Sequence, residues 1–361
     1  MTFRTAFSIV TLLVACSALA DSREGGAQRG EITVYSTTDT AVFRPLIEDF
    51  ERSHPDTSIR YEELDAKELY DRFLREAAEG KPRADLLLSS AMDLQVKLVN
   101  DGYAERHESE NASKLPSWAR WRNEAFGVTF EPAVMVFNSQ LMRGRRIPQS
   151  RAELLEALNR DATFWRGRIG TYDISQSSVG YLLASQDARQ SSEFSALVQA
   201  FCALDIQTHN NTARLLDQLE RGELAMGYNL LGSYASGRVG DGAPLTIVYP
   251  RDYTLVISRT AILARNAPHR ENAHRLLEYL LSLRGQRILA AQSRLSAIRP
   301  EILGPYSGLG LAESQVGLLR PITLGPGLLT YLDQQKQRRM IERWKRAASS
   351  ADDDRSSMTV E

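Results

Sequence analysis

Cysteine is nearly absent. The 361 residues contain two, Cys16 and Cys202. Cys16 lies in an N-terminal segment with the pattern of a leader, so Cys202 is left without an intramolecular partner and no disulfide framework is possible. Cys202 sits in the apolar run Phe-Cys-Ala-Leu and reads as a small buried hydrophobe. Lysine is scarce too, six against 38 arginines. A formal net charge of -1 excludes a global attraction to nucleic acid or to an anionic membrane. Catalytic signatures are missing: there is no Gly-x-Ser-x-Gly elbow, no phosphate-cradling loop ending in Gly-Lys-Ser/Thr and no dinucleotide-type glycine cluster. The five histidines (His54, His107, His209, His269 and His274) show no metal-ligand spacing and read as surface or helix-end residues. No catalytic residue, metal site or cofactor is therefore expected, and the chain does not read as an enzyme.

No apolar run is long enough to span a bilayer. The run at residues 6–15 follows Arg4 and precedes Ala18-Leu19-Ala20, a small-x-small cleavage pattern. Residues 1–20 thus read as a signal peptide. The competing reading is a lipoprotein box, Leu13-Val14-Ala15-Cys16, which would anchor the chain by a lipid at Cys16. Both export the protein, and a periplasmic location is expected.

What is present is an alternation of short apolar strands and amphipathic helices. Strands are predicted at 32–35, 57–61 and 85–88, with helices between them, the first ended by Ser53-His54-Pro55. This order implies a parallel sheet with right-handed crossovers, whose ligands sit beyond the carboxyl ends of the strands. That places Ser36, Thr37 and Thr38 with Ser89 and Ser90 at one mouth. Residues 126–138 change character part-way. Phe126, Val128 and Phe130 alternate, whereas 133–137 are continuously apolar, with Glu131-Pro132 between. Proline is excluded from sheet interiors, so Pro132 is expected to mark a break. The segment either leaves one sheet for another or forms two neighbouring strands of one domain. An apolar run, a proline break at Pro250-Arg251-Asp252 and an apolar strand at 253–264 repeat the pattern as a return crossing. In the second β/α unit, Ser175, Ser177, Ser178, Val179 and Gly180 lead into a helix. They form either an anion site at its N-terminus or an ordinary cap. Tyr228 and Asn229 occupy another strand end. Glu131, at the expected hinge, either touches a ligand, makes a salt bridge or lies in an exposed loop.

These features together resemble the type II periplasmic solute-binding proteins of ABC transporters, in the branch with ferric-iron, thiamine and phosphoglycerate-linked members. The resemblance rests on residues 32–38, 84–91, 126–138, 170–180, 224–229 and 248–259. It implies an α/β fold, a two-lobed clamshell with two crossing hinge strands. Lobe 1 would comprise 30–131 and 250–300, and lobe 2 132–249. A C-terminal irregular segment and helix would occupy 301–346, and a disordered tail 347–361. The residues just named would contact the ligand, joined by Asp252 and Tyr253 at the return crossing. Ferric-binding members carry an adjacent tyrosine pair; here that place reads Tyr228-Asn229, which suits a small anionic solute, a carboxylate or phosphorylated acid, better than iron. The expected partner of a monomer is an ABC permease or, alternatively, a membrane sensor kinase. A ferric-iron-binding protein and an exported hydrolase are the remaining alternatives.

Overall fold

The computed structural model describes residues 30–304 and 317–344; the leader, Cys16 and the tail lie outside them. Strands β1 (Gly30–Ser36), β2 (Thr57–Glu63), β3 (Leu86–Ser89), β4 (Ala104–Glu105), β5 (Arg120–Trp121) and β6 (Ala125–Gly127) belong to a first sheet. The next six belong to a second: β7 (Glu131–Asn138), β8 (Ile169–Tyr172), β9 (Gln207–His209), β10 (Met226–Leu231), β11 (Leu245–Val248) and β12 (Thr254–Ile257). The chain returns to the first sheet as β13 (Thr260–Ala264), and β14 (Leu319–Pro321) closes one edge of the second. The orders are β2-β1-β3-β13-β6-β5 and β14-β12-β7-β10-β8-β9. β1 pairs in parallel with β2 and β3, and β8 with β9 and β10. The mixed order follows from the crossings, which run antiparallel to their neighbours: β7 pairs with β10 and β12, and β13 with β3 and β6.

Helices cover both faces of each sheet because their apolar residues recur at helical spacing. In Thr40–Ser53, Phe43, Leu46 and Phe50 are buried; in Thr212–Glu220, Leu215, Leu216 and Leu219 are. The eight residues of β7 are all buried, as a strand covered on two sides requires.

The crossings differ in place from the expectation. Pro132 does not break a strand: it lies inside β7 and pairs with Val256. The break falls earlier, at residues 128–130. Pro132 is the second residue of β7, where a missing N–H costs little, and its ring packs where Gly232 leaves room. The return crossing is not at Pro250–Asp252, which only joins β11 to β12 in the same sheet. It is at residues 258–259, so 254–257 belong with the second sheet, not the first. The two crossings touch: the Val128 N–H donates to the Arg259 carbonyl (2.8 Å) and the Arg259 N–H to Thr129 Oγ1 (2.9 Å). Within the stretch expected to be irregular, the described residues include β14 and a 3-10 helix, Pro326–Leu332. The last helix begins at 334 rather than 331.

Two smaller outcomes concern single side chains. Cys202 is buried, and burial pushes its thiol pKa up to about 11, which keeps it protonated. His107 is not a surface residue. It is buried, its Nδ1 faces that of His274 at 2.9 Å, and its Nε2 meets Glu278 (2.9 Å).

Candidate functional site

A cleft of about 650 Å³ opens between the two sheets. One wall comes from the loops after β1, β2 and β3, the other from the loops after β8 and β9 and from the helix after β10. Both parallel regions thus direct their carboxyl ends at the same space.

On the first wall, neighbouring residues have different tasks. The Ser36 and Ser89 hydroxyls accept the N–H groups of Thr38 and Ala91, each at 3.1 Å. These local turns bend the chain away from the strand, and both serines are buried. Thr37 and Ser90 follow them and line the cleft, with their hydroxyls 3.3 Å apart. Thr38 is buried behind them and accepts from Arg259 Nη1 at 2.8 Å.

On the second wall, Ser177, Ser178 and Val179 line the cleft. Ser177 caps helix Ser178–Gln190, accepting the Gly180 N–H at 3.2 Å. The Ser178 and Val179 N–H groups lie in the first turn, where a helix offers them no internal acceptor. Gly180 serves packing: a Cβ there would lie 2.3 Å from Tyr172 Cβ. Its absence brings the helix start close against β8. Ser175 is exposed, and its hydroxyl donates to Asp173 at 2.6 Å.

Tyr228, Asn229, Asp252 and Tyr253 are not among the cleft-lining residues. β10 has an irregularity between Gly227 and Leu230, and Asn229 adopts φ 59°. Such a bulge re-aims side chains. Tyr228 and Asn229 both turn to Asp187, their hydroxyl and amide donating to Oδ2 at 2.9 and 2.6 Å. The Tyr253 hydroxyl donates to Oδ1 at 2.8 Å, and Arg151 Nη2 does so at 3.0 Å. Asp252 holds Arg151 Nη1 at 3.3 Å. Tyr228, Asn229 and Tyr253 are thus committed to a buried network around Asp187, and the exposed Asp252 joins it at Arg151.

The residue the sequence reading missed is Arg259. It is 2% exposed, sits in the return crossing and lines the cleft. Nε donates to Glu131 Oε1 (3.2 Å) and Nη1 to Thr38. Nη2 has no hydrogen-bond partner among the described residues. Glu131 is fully buried in β7 rather than in an exposed loop, and it makes the salt bridge, with Ser233 donating to its other oxygen. Tyr234, from the helix after β10, donates to Asp39 at the start of helix Thr40–Ser53, so the two walls touch. The only sequence sign of Arg259 was a charge interrupting two apolar runs.

A model of the family described as bacterial extracellular solute-binding protein matches residues 32–292. The chain belongs to that family. It is 39% identical to a substrate-binding protein of an ABC transporter from Agrobacterium tumefaciens, with TM-score 0.84 over 90% of this chain and 96% of that one. The binding protein also shares its fold with two more distant structures. One is the periplasmic binding protein AfuA from Actinobacillus pleuropneumoniae with exogenous fructose-6-phosphate bound (17% identity, TM-score 0.72, 89% and 99% covered). The other is iron-bound HitA from Pseudomonas aeruginosa (18%, 0.69, 86% and 99%). No protein of curated function matches the chain. As a binding protein of this class it works outside the cytoplasm with an ABC transporter. No group of three or more His, Cys, Asp or Glu is arranged to hold a metal among the described residues.

A larger cavity of about 1230 Å³ lies beneath residues 334–344, between Tyr181, Phe194, Met340 and Trp344. Its Arg189 already donates to the Tyr331 hydroxyl. The chemistry of capture therefore points to the cleft between the sheets.

Proposed function

We propose that the protein captures a small organic anion, a carboxylate or a phosphorylated acid, in this cleft and delivers it to a membrane permease. One observation carries the reading: Arg259 is a buried guanidinium that lines the cleft, and its Nη2 has no hydrogen-bond partner among the described residues. A buried polar group without a partner costs roughly 1–3 kcal/mol, and more when charged. An acceptor oxygen on a ligand removes that cost and gains a charge-assisted bond. The N-terminus of helix Ser178–Gln190 supplies further donors and the positive end of its dipole on the opposite wall. Thr37 and Ser90 add hydroxyls. A ligand touching both walls favours the closed arrangement in proportion to what it gains there.

Calorimetry with a panel of carboxylates and phosphorylated acids tests this. Ser178→Asp puts a negative charge where the anion would lie, and it is expected to abolish binding at an unchanged melting temperature. Binding of the same acids at unaltered affinity by the variant, or of only neutral or cationic solutes by the natural protein, overturns the proposal.

A further inference from the structure

The lining of the cleft carries more carboxylates than cations. Its lining holds five carboxylates, Asp39, Glu63, Asp65, Glu68 and Asp71, against two cations, Lys67 and Arg259. Three of the five are engaged. Asp39 accepts from Tyr234, Glu63 accepts the Thr40 N–H (2.7 Å) and hydroxyl (2.8 Å), and Asp71 pairs with Lys67. Asp65 and Glu68, exposed at the mouth beside helix Ala66–Ala78, have no side-chain partner among the described residues. A plain anion reaching Arg259 would pass these charges and gain nothing from them.

We infer that the ligand is a zwitterion: an anionic group that meets Arg259 Nη2 and an ammonium group that meets the carboxylates of Asp65 and Glu68. The inference rests on the anion reading and adds the ligand's second end. It has two independent supports, the unpaired buried arm of Arg259 at the floor and the uncompensated carboxylates at the rim. The asymmetry also orients the ligand. Like-charge juxtaposition disfavours the reversed pose, with the ammonium at Arg259 and the anion at the rim. Because the rim is exposed, solvent and salt screen its contribution, and discrimination of about tenfold is expected rather than thousands.

The test uses the full chain and two matched pairs of probes: phosphoethanolamine against ethyl phosphate, and 4-aminobutanoate against butanoate. Isothermal calorimetry at low salt is expected to show the aminated member of a pair binding about tenfold more tightly. In Asp65→Asn/Glu68→Gln, an exposed double substitution, that ratio is expected to fall towards one while ethyl phosphate and butanoate bind as before or better. Equal affinities within both pairs overturn the zwitterion and leave the anion reading standing, as does a ratio the double variant does not change. Ethylammonium binding as tightly as phosphoethanolamine overturns the anion reading itself, and binding of none of the four probes counts against both.

Discussion

Two of the buried arginines, Arg151 and Arg259, are opposites. Arg151 is 0% exposed and every nitrogen is used: Nε meets Tyr228 (2.8 Å), Nη1 meets Asp252 and the Tyr253 carbonyl (2.7 Å), and Nη2 meets Asp187. Its guanidinium also stacks 3.7 Å from the Tyr253 ring centroid. Arg259 is buried as deeply but keeps one arm idle. A guanidinium stays charged wherever it is placed, so neither side chain can escape burial by losing its proton. A saturated buried arginine joins elements of the fold; an unsaturated one that lines a cleft is, in the function proposed above, the place where an anion docks. On that proposal the same residue type, at similar depth, is divided between architecture and capture by its count of partners.

The same substitution at both positions separates the roles. Arg151→Lys leaves a charge near Asp187 but cannot span Tyr228, Asp187 and Tyr253 at once. Loss of stability on the order of 4 kcal/mol is expected, in the range for breaking a buried ion pair. Urea denaturation of both proteins measures it, and a midpoint unchanged at constant slope would show that the network is dispensable.

A buried charge with no cation beside it extends the contrast to the other sign. Asp93, in the first turn of helix Met92–Asn100, is 1% exposed, and burial raises its pKa from 3.8 to about 6, only partly opposed by the Leu94 N–H at 3.0 Å. The folded state therefore holds this proton more tightly than the unfolded chain. The resulting penalty is absent below about pH 4, grows between pH 4 and 6, and is full above. Asp93→Asn is expected to stabilise on the order of 3 kcal/mol at pH 7.5, with the two proteins converging near pH 4. Thermal melts across that range test it; a pH-independent gain would sink the explanation.

The smallest expected effect in free energy is the sharpest for function. Arg259→Lys keeps a cation beside Glu131 but removes the third arm of the fork. The melting temperature should fall by no more than a few degrees, while anion affinity drops roughly 30-fold, about 2 kcal/mol. If stability fell as far as in Arg151→Lys and affinity held, the division between the two arginines would be wrong.

Much of the fold was legible because it is written in local patterns. The apolar alternation, the caps and the proline stops located the β/α units, and the loop serines and threonines at 36–38, 89–90 and 177–178 came from strand ends that a parallel sheet must bring together. What failed were inferences needing three dimensions. Pro132 is compatible with a strand when it sits near its start, and a one-dimensional rule could not show that Gly232 leaves room for the ring. Tyr228 and Asn229 were misdirected because a bulge reverses where side chains point, and bulges leave little trace in periodicity. Arg151 and Asp187 lie on helices that looked ordinary, and their pairing spans 36 residues. Arg259 was hidden in a run read as one strand, although it divides two.

The three residues of β14 bear on how copies of the protein treat one another. They close the outer side of β12, so that the second sheet ends not on a long apolar ribbon but on Leu319–Pro321, with Arg320 and Pro321 exposed. An outermost strand tempts any extended chain to add itself by backbone pairing, as aggregates do. Pro321 has no N–H to offer and Arg320 carries its charge into solvent, so this rim is a poor template. Residues far along the chain from the cleft thereby blunt this edge against backbone pairing.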